Sequence, residues 1–249
     1  DMEGSRGLGD VYKRQSVNKR IGLLGGMSAT SSQLYYAELC RLTQARCGGL
    51  TSPDLILRSV DFAPIEQWMR EGERDAISDL LIWEAKMLER AGAEVIALAT
   101  NTMHKVADRI QDHLTVSLLH IAEATAASLV SKGHQRPGLI ATKFTMEQSF
   151  YTGRLSANGL ETLVPAADTR DVVNGIIFDE LCKGAVTEES RAIYMKVAAD
   201  LAFDGADSLI LGCTEVGLLL NESNTPLPVF DTTTIHCEAI IDAAFSEPL

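Results

Sequence analysis

Two stretches of this chain repeat one another, and the repeat limits the fold more than any other feature. The first runs Ala91-Gly92-Ala93-Glu94, then Val95-Ile96-Ala97-Leu98-Ala99, then Thr100-Asn101-Thr102. The second runs Asp204-Gly205-Ala206-Asp207, then Ser208-Leu209-Ile210-Leu211-Gly212, then Cys213-Thr214-Glu215. In each, a helix end meets a Gly-Ala-acid turn and leads into a short apolar run of the kind that fills a buried parallel strand. Small polar residues close each run. Alignment sets Gly92 on Gly205 and Thr100 on Cys213. Open α/β sheets bind ligands outside the carboxyl ends of their strands. Two such halves can therefore offer a hydroxyl and a thiol to opposite faces of one small ligand.

The rest of the chain alternates in the same way. Apolar runs at 21–24, 55–60, 116–120, 138–141, 160–164 and 229–230 read as strands. Helical periodicity covers 30–44, 75–90, 121–131, 173–181, 188–203 and 235–245. Strands alternating with helices predict an α/β fold with parallel sheets. A polar turn, Lys132-Gly133-His134-Gln135-Arg136-Pro137, separates two halves of similar length. The turn Gly25-Gly26-Met27-Ser28 leads a strand into a helix whose free N-terminus suits an anion. It lacks the Gly-x-Gly-x-x-Gly and Gly-Lys-Ser/Thr patterns, so a nucleotide is not expected.

Composition narrows the function classes. Over 249 residues the formal net charge is -12, which opposes nucleic acid and anionic membrane surfaces as partners. No apolar run approaches the roughly 18 residues needed to span a bilayer. The five cysteines (Cys40, Cys47, Cys182, Cys213, Cys237) show no paired spacing. They read as reduced thiols of a cytoplasmic protein, not as disulfides or a zinc site. Residues 1–20 are polar and aperiodic, and are expected to be a non-native or disordered leader outside the fold.

Cys213 follows a buried-type strand with Gly212 before it, which allows close approach by a ligand. Free cysteine is often only a packing residue, but the polar cluster at the equivalent position, Thr100-Asn101-Thr102, favours a functional reading. No metal-ligand spacing of His or Cys and no nucleophile elbow is present.

Five motifs then carry a resemblance. They are Gly25-Gly26-Met27-Ser28, Thr100-Asn101-Thr102-Met103-His104, Ala141-Thr142-Lys143-Phe144-Thr145-Met146, Gly212-Cys213-Thr214-Glu215 and Phe230-Asp231-Thr232-Thr233-Thr234-Ile235-His236. Together, in order from residue 21 to the C-terminus, they are similar to the aspartate/glutamate racemase family. The resemblance implies two pseudo-symmetric three-layer α/β domains with the active site in the cleft between them. The expected division is residues 21–115 with 220–249 against 116–219. It also implies an isomerase that needs no cofactor, acts on a free amino acid (aspartate or glutamate) and forms a homodimer.

In most such racemases two cysteines flank the substrate Cα, one removing the α-proton and the other delivering a proton to the opposite face. Cys213 matches the second. Thr100 stands at the first, as in one branch of the family. A thiol of ordinary pKa is already partly ionised near neutrality, whereas a threonine hydroxyl needs a neighbouring base to accept a proton. Thr100 therefore serves more easily as donor. The resemblance further places Met27, Ser28, Asn101, Thr102, Thr142, Thr145 and Thr214 around the substrate, with backbone N–H groups holding the α-carboxylate. His104, Glu215 and His236 are expected behind them. Arg58 and Lys143 are candidates for a side-chain carboxylate. Two other readings remain: a single-thiol decarboxylase or cis–trans isomerase of the same superfamily, and a carboxylate-binding protein without turnover.

Overall fold

The computed structural model describes residues 18–246. Most of the expected leader at 1–20 lies outside the described residues. Its last two residues belong to the fold, since the Lys19 amide donates to the Ala244 carbonyl and the Arg20 guanidinium pairs with Asp54.

Two parallel sheets form. Strand β1 (Ile21–Gly25) leads through helix α1 (Ala29–Cys47) to β2 (Leu55–Ser59), then through α2 (Phe62–Glu71) and α3 (Arg74–Arg90) to β3 (Val95–Leu98). A 3-10 turn and the short α4 (Ala107–Gln111) reach β4 (Ser117–Leu119), giving the order β2-β1-β3-β4. Helix α5 (Ile121–Ser131) follows. The second half begins with β5 (Pro137–Ala141), α6 (Lys143–Glu147), α7 (Ser149–Ala157), α8 (Ala167–Asp179) and α9 (Glu188–Phe203). Then come β6 (Ser208–Gly212), β7 (Val229–Asp231) and α10 (Thr232–Phe245), with sheet order β5-β6-β7.

Both faces of the first sheet are covered. Leu24, Ile96 and Leu98 point into a core shared with Ile65 of α2 and Ile77, Leu81 and Leu88 of α3. Ile21, Leu23, Val95 and Ala97 point the other way, onto Tyr35 and Leu39 of α1 and Ile240 and Ile241 of α10. Full burial on both faces explains why these strands read as unbroken apolar runs instead of alternating ones. The second sheet is enclosed by a core drawing on α5, α7, α8 and α9. The α/β class with parallel sheets is thus as read from the sequence.

The repeat extends to individual bonds. Gly92 and Gly205 share a φ of +93°, and a Cβ at either would press on the guanidinium of Arg20 or Arg136 respectively. The Arg20 amide donates to Glu94 and the Arg136 amide to Asp207, while Arg20 pairs with Asp54 and Arg136 with Glu161. Each half therefore locks the start of its first strand to the turn before its central strand by the same device.

Several expectations are corrected. The run at 160–164 is not a strand: it makes only an isolated bridge from Leu163 to Gly138, at the free edge of β5 where β2 stands in the first sheet. Helix α2 was not anticipated, and α8 begins at Ala167, ahead of the apolar stretch from Val173. Helix α10 begins at Thr232 because the Asp231 side chain caps it, accepting from the Thr233 and Thr234 amides. Relative to the expected division at residues 116 and 220, β4 joins the first sheet and β7 the second. The helices that follow them cross over, α5 packing in the second core and α10 against the first.

Candidate active site

Thr100 and Cys213 lie just past the carboxyl ends of β3 and β6, the central strands of their halves, and both line one cavity between the sheets. Its free space is about 50 Å³, enough for a few waters and too little for an amino acid. Some rearrangement of the wall is therefore needed to admit one. Met27, Ser28, Asn101, Thr102, Thr142, Thr214 and Glu215 also line it, as the sequence reading expected for all but Glu215, which was placed behind the wall. Ser31, Phe62, Met69, Met103, Ile177, Phe178 and Cys182 complete the wall. Phe62, Met69, Ile177 and Phe178 carry no polar group that would mark them in sequence as lining a site. Thr145 does not reach the cavity; it lies fully buried beneath Thr142, hydroxyl to hydroxyl at 3.1 Å.

Local structure fixes each group. Ser28 caps α1 by accepting from the Ser31 amide, and its hydroxyl donates to Glu215 Oε1 at 2.8 Å. Thr142 caps α6, and its hydroxyl meets that of Thr102 at 3.2 Å. Asn101 Nδ2 donates to Thr232 Oγ1, which in turn donates to the Leu211 carbonyl. The Ser28–Glu215 and Thr102–Thr142 bonds join residues from opposite halves, so the cavity wall is also a seam of the molecule. A side chain on Gly212 would come within 2.8 Å of Ala141 and Leu139, so this position keeps Cys213 tight against the sheet end.

Glu215 organises the thiol side. Cys213 Sγ donates to Glu215 Oε2 at 3.1 Å, and the Thr214 hydroxyl donates to the same oxygen. Burial, followed by the Glu215 charge, pushes the Cys213 thiol well above the ordinary cysteine range, while the Glu215 amide opposes this by favouring thiolate. The closed site therefore holds Cys213 as a thiol.

The threonine side differs. Among the described residues no side chain or backbone group hydrogen-bonds to the Thr100 hydroxyl, which leaves it facing the cavity. His104 acts on the backbone instead. Its Nε2 accepts from the Ile121 amide at 3.2 Å, so its Nδ1 carries the proton and donates to the Thr100 carbonyl at 2.7 Å. Burial pulls His104 down to about 4, which keeps it neutral, and with both nitrogens engaged it is not a base for Thr100. His236 also stays off the cavity: Tyr35 donates to its Nδ1, and its Nε2 donates to the Leu119 carbonyl. Asn101 Oδ1 is buried without a partner. A buried amide oxygen in that state is costly unless a ligand donates to it.

Neither cation suggested for a side-chain carboxylate is free. Arg58 grips Glu84 at 2.6 and 2.7 Å, and Lys143 pairs with Asp171. No cluster of His, Cys, Asp or Glu among the described residues is arranged to hold a metal ion. No helix among them is long and apolar enough to cross a membrane.

Comparison with known proteins agrees with this geometry. Residues 24–240 match the Asp/Glu/Hydantoin racemase family. A crystal structure described as a candidate Asp/Glu racemase from Yersinia pestis superposes with a TM-score of 0.87 at 45% identity, covering 92% of this chain and all of that one. PH1733, an aspartate racemase homologue from Pyrococcus horikoshii OT3, gives 0.80 at 32% identity with the same coverage. The broad specificity amino-acid racemase RacX of Bacillus subtilis is 24% identical over 89% of this chain and 96% of its own length. With a family match across most of its length and the paired strand ends that such a fold requires, this chain belongs to the Asp/Glu/hydantoin racemase family, as an enzyme of the amino-acid racemase class.

Proposed function

We propose that the protein interconverts the enantiomers of a free amino acid without a cofactor, by proton transfer at Cα between Thr100 and Cys213. The observation that carries this reading is the pairing of the two residues at equivalent strand ends on one cavity. In one direction Cys213 passes its proton to Glu215 and, as thiolate, removes the α-proton, while Thr100 protonates the opposite face and regains a proton from water or a substrate group; Glu215 then releases its proton to solvent. Microscopic reversibility requires Thr100 to take the α-proton on the return. Its hydroxyl gives up its own proton to water or to a substrate group as it does so, since no protein base adjoins it. The α-ammonium can donate to the unpartnered Asn101 Oδ1, while the hydroxyls of Ser28, Thr102 and Thr142 lie in reach of an α-carboxylate. Preorganised donors of that kind, aimed at developing charge, are each worth about 3 kcal/mol in acyl-transfer enzymes.

The expected preference for aspartate or glutamate rests on the family resemblance, because both cations considered for a second carboxylate are committed elsewhere. A homodimer is proposed on the same basis. Exposed Trp83 and Met87, one turn apart on α3, offer it an apolar surface, and light scattering on the purified protein tests it. A cytoplasmic location fits five cysteines that are all free. The deciding experiment for activity is chiral chromatography after incubation with L- and D-amino acids. Appearance of the opposite enantiomer supports the reading, and unchanged substrate with every amino acid refutes it.

A further inference from the structure

The geometry points to a substrate with a neutral, largely apolar side chain, selected by a wall that offers no cation. This rests on the racemase reading and names its substrate class. The polar residues of the cavity gather around Thr100 and Cys213, where the backbone of an amino acid would sit. The remaining wall is Met27, Phe62, Met69, Met103, Ile177 and Phe178, with the weakly polar thiol of Cys182 and with Ser31, whose hydroxyl donates to the Ala99 carbonyl. Glu215 is the single charged residue lining the cavity among the described residues, and it carries the sign of the wrong partner for an acidic substrate.

No Lys or Arg lines the cavity among the described residues. Arg58 is held by Glu84, Arg170 by Glu147, Lys143 by Asp171 and Lys183 by Asp179. Lys105 lies over the Phe144 ring, 5.8 Å from its centroid, and does not line the cavity. A zwitterion with a neutral side chain brings no net charge, its ammonium finding Glu215 or Asn101 and its carboxylate the hydroxyls. Aspartate or glutamate would add a second carboxylate against methionine and phenylalanine side chains, close to an existing one. An unpaired buried charge is strongly disfavoured. Flexible methionines, by contrast, adapt to side chains of varied shape.

The test measures kcat/KM by chiral chromatography for methionine, leucine, aspartate and glutamate with the parent protein. Values for methionine or leucine at least a hundredfold above those for both acids are expected. Equal or better turnover of aspartate or glutamate would overturn the inference while leaving the racemase reading intact. No turnover of any amino acid would overturn the racemase reading itself. As a converse test, Phe178→Arg places a cation on the wall, with circular dichroism confirming the fold. The ratio of aspartate to methionine turnover should rise at least tenfold. In a folded variant, an unchanged ratio would mean that this wall does not contact the side chain.

Discussion

Three buried histidines make the stability of this protein steeply dependent on acid. His104 lies 4.5 Å from His120 and 5.6 Å from His236, centroid to centroid, where β4 gives way to α5 and α10 passes behind. Burial is the leading cause in each case, pulling His104 to about 4, His120 to about 2 and His236 to about 3 from the usual 6.5. The folded protein keeps all three neutral, while the unfolded chain protonates them below pH 6.5. Stability is therefore full above 6.5 and is lost progressively as the pH falls towards the folded values. Between about pH 7.5 and 5 each ring accounts for a loss of about 2 kcal/mol, or about 6 kcal/mol for the three. That matches a large share of the 5–15 kcal/mol typical of a folded domain. His120→Asn isolates one contribution. His120 Nδ1 accepts from the Ala122 amide as the cap of α5, and an asparagine oxygen can replace it there without titrating. Urea unfolding at the two pH values should show the variant losing about 2 kcal/mol less than the parent. Identical losses would mean that His120 is not held neutral, and the reasoning would fail.

The remaining predictions concern catalysis. Cys213→Ala should lower racemisation by at least a thousandfold with an unchanged melting temperature; retention of a tenth of the activity would remove Cys213 from the reaction. Thr100→Ala should stop inversion yet retain exchange of the α-hydrogen with solvent deuterium, because Cys213 can remove and return a proton on its own face, and Thr100→Cys should invert. Mass spectrometry run beside chiral analysis separates the two events. Glu215→Gln removes the charge that helps hold the Cys213 thiol above its ordinary range, so the thiol titration followed by ultraviolet absorbance should move to lower pH. Its kcat should fall at least tenfold, since the thiol loses its proton acceptor. Activity should survive dialysis against a chelator and treatment with a carbonyl-trapping reagent; a loss on either would implicate a metal or a carbonyl cofactor.

The legible part of this structure is the part with local signals. Parallel strands buried on both faces announce themselves as continuous apolar runs, and the repeat around Thr100 and Cys213 locates the two central strand ends. The polar lining follows from the same motifs. What escaped notice depends on long-range contact. Phe62, Met69 and Phe178 read as core residues until α2 and α8 are seen to close over the cavity. The run from Leu160 to Val164 has the composition of a strand, yet it reaches the sheet at one residue only. Glu215 looked like support because its residue type says nothing of its position. Only the fold shows it spanning from Ser28 in one half to Cys213 in the other. The upward pull on the Cys213 thiol is likewise invisible in sequence, since burial is not written in a tetrapeptide.

The exchange of final helices carries a last consequence. Strand β4 completes one sheet, but the helix it leads into lies in the core of the other; β7 and α10 do the same in reverse. A chain of half this length that gave its last helix to a second copy, and took that copy's helix in return, would form the same interleaved body as a swapped dimer. The turn at 132–137 would then be a fusion joint, dispensable for the architecture because each half is closed by the other. Cutting the backbone there should leave two fragments clasped together, neither able to complete its core alone.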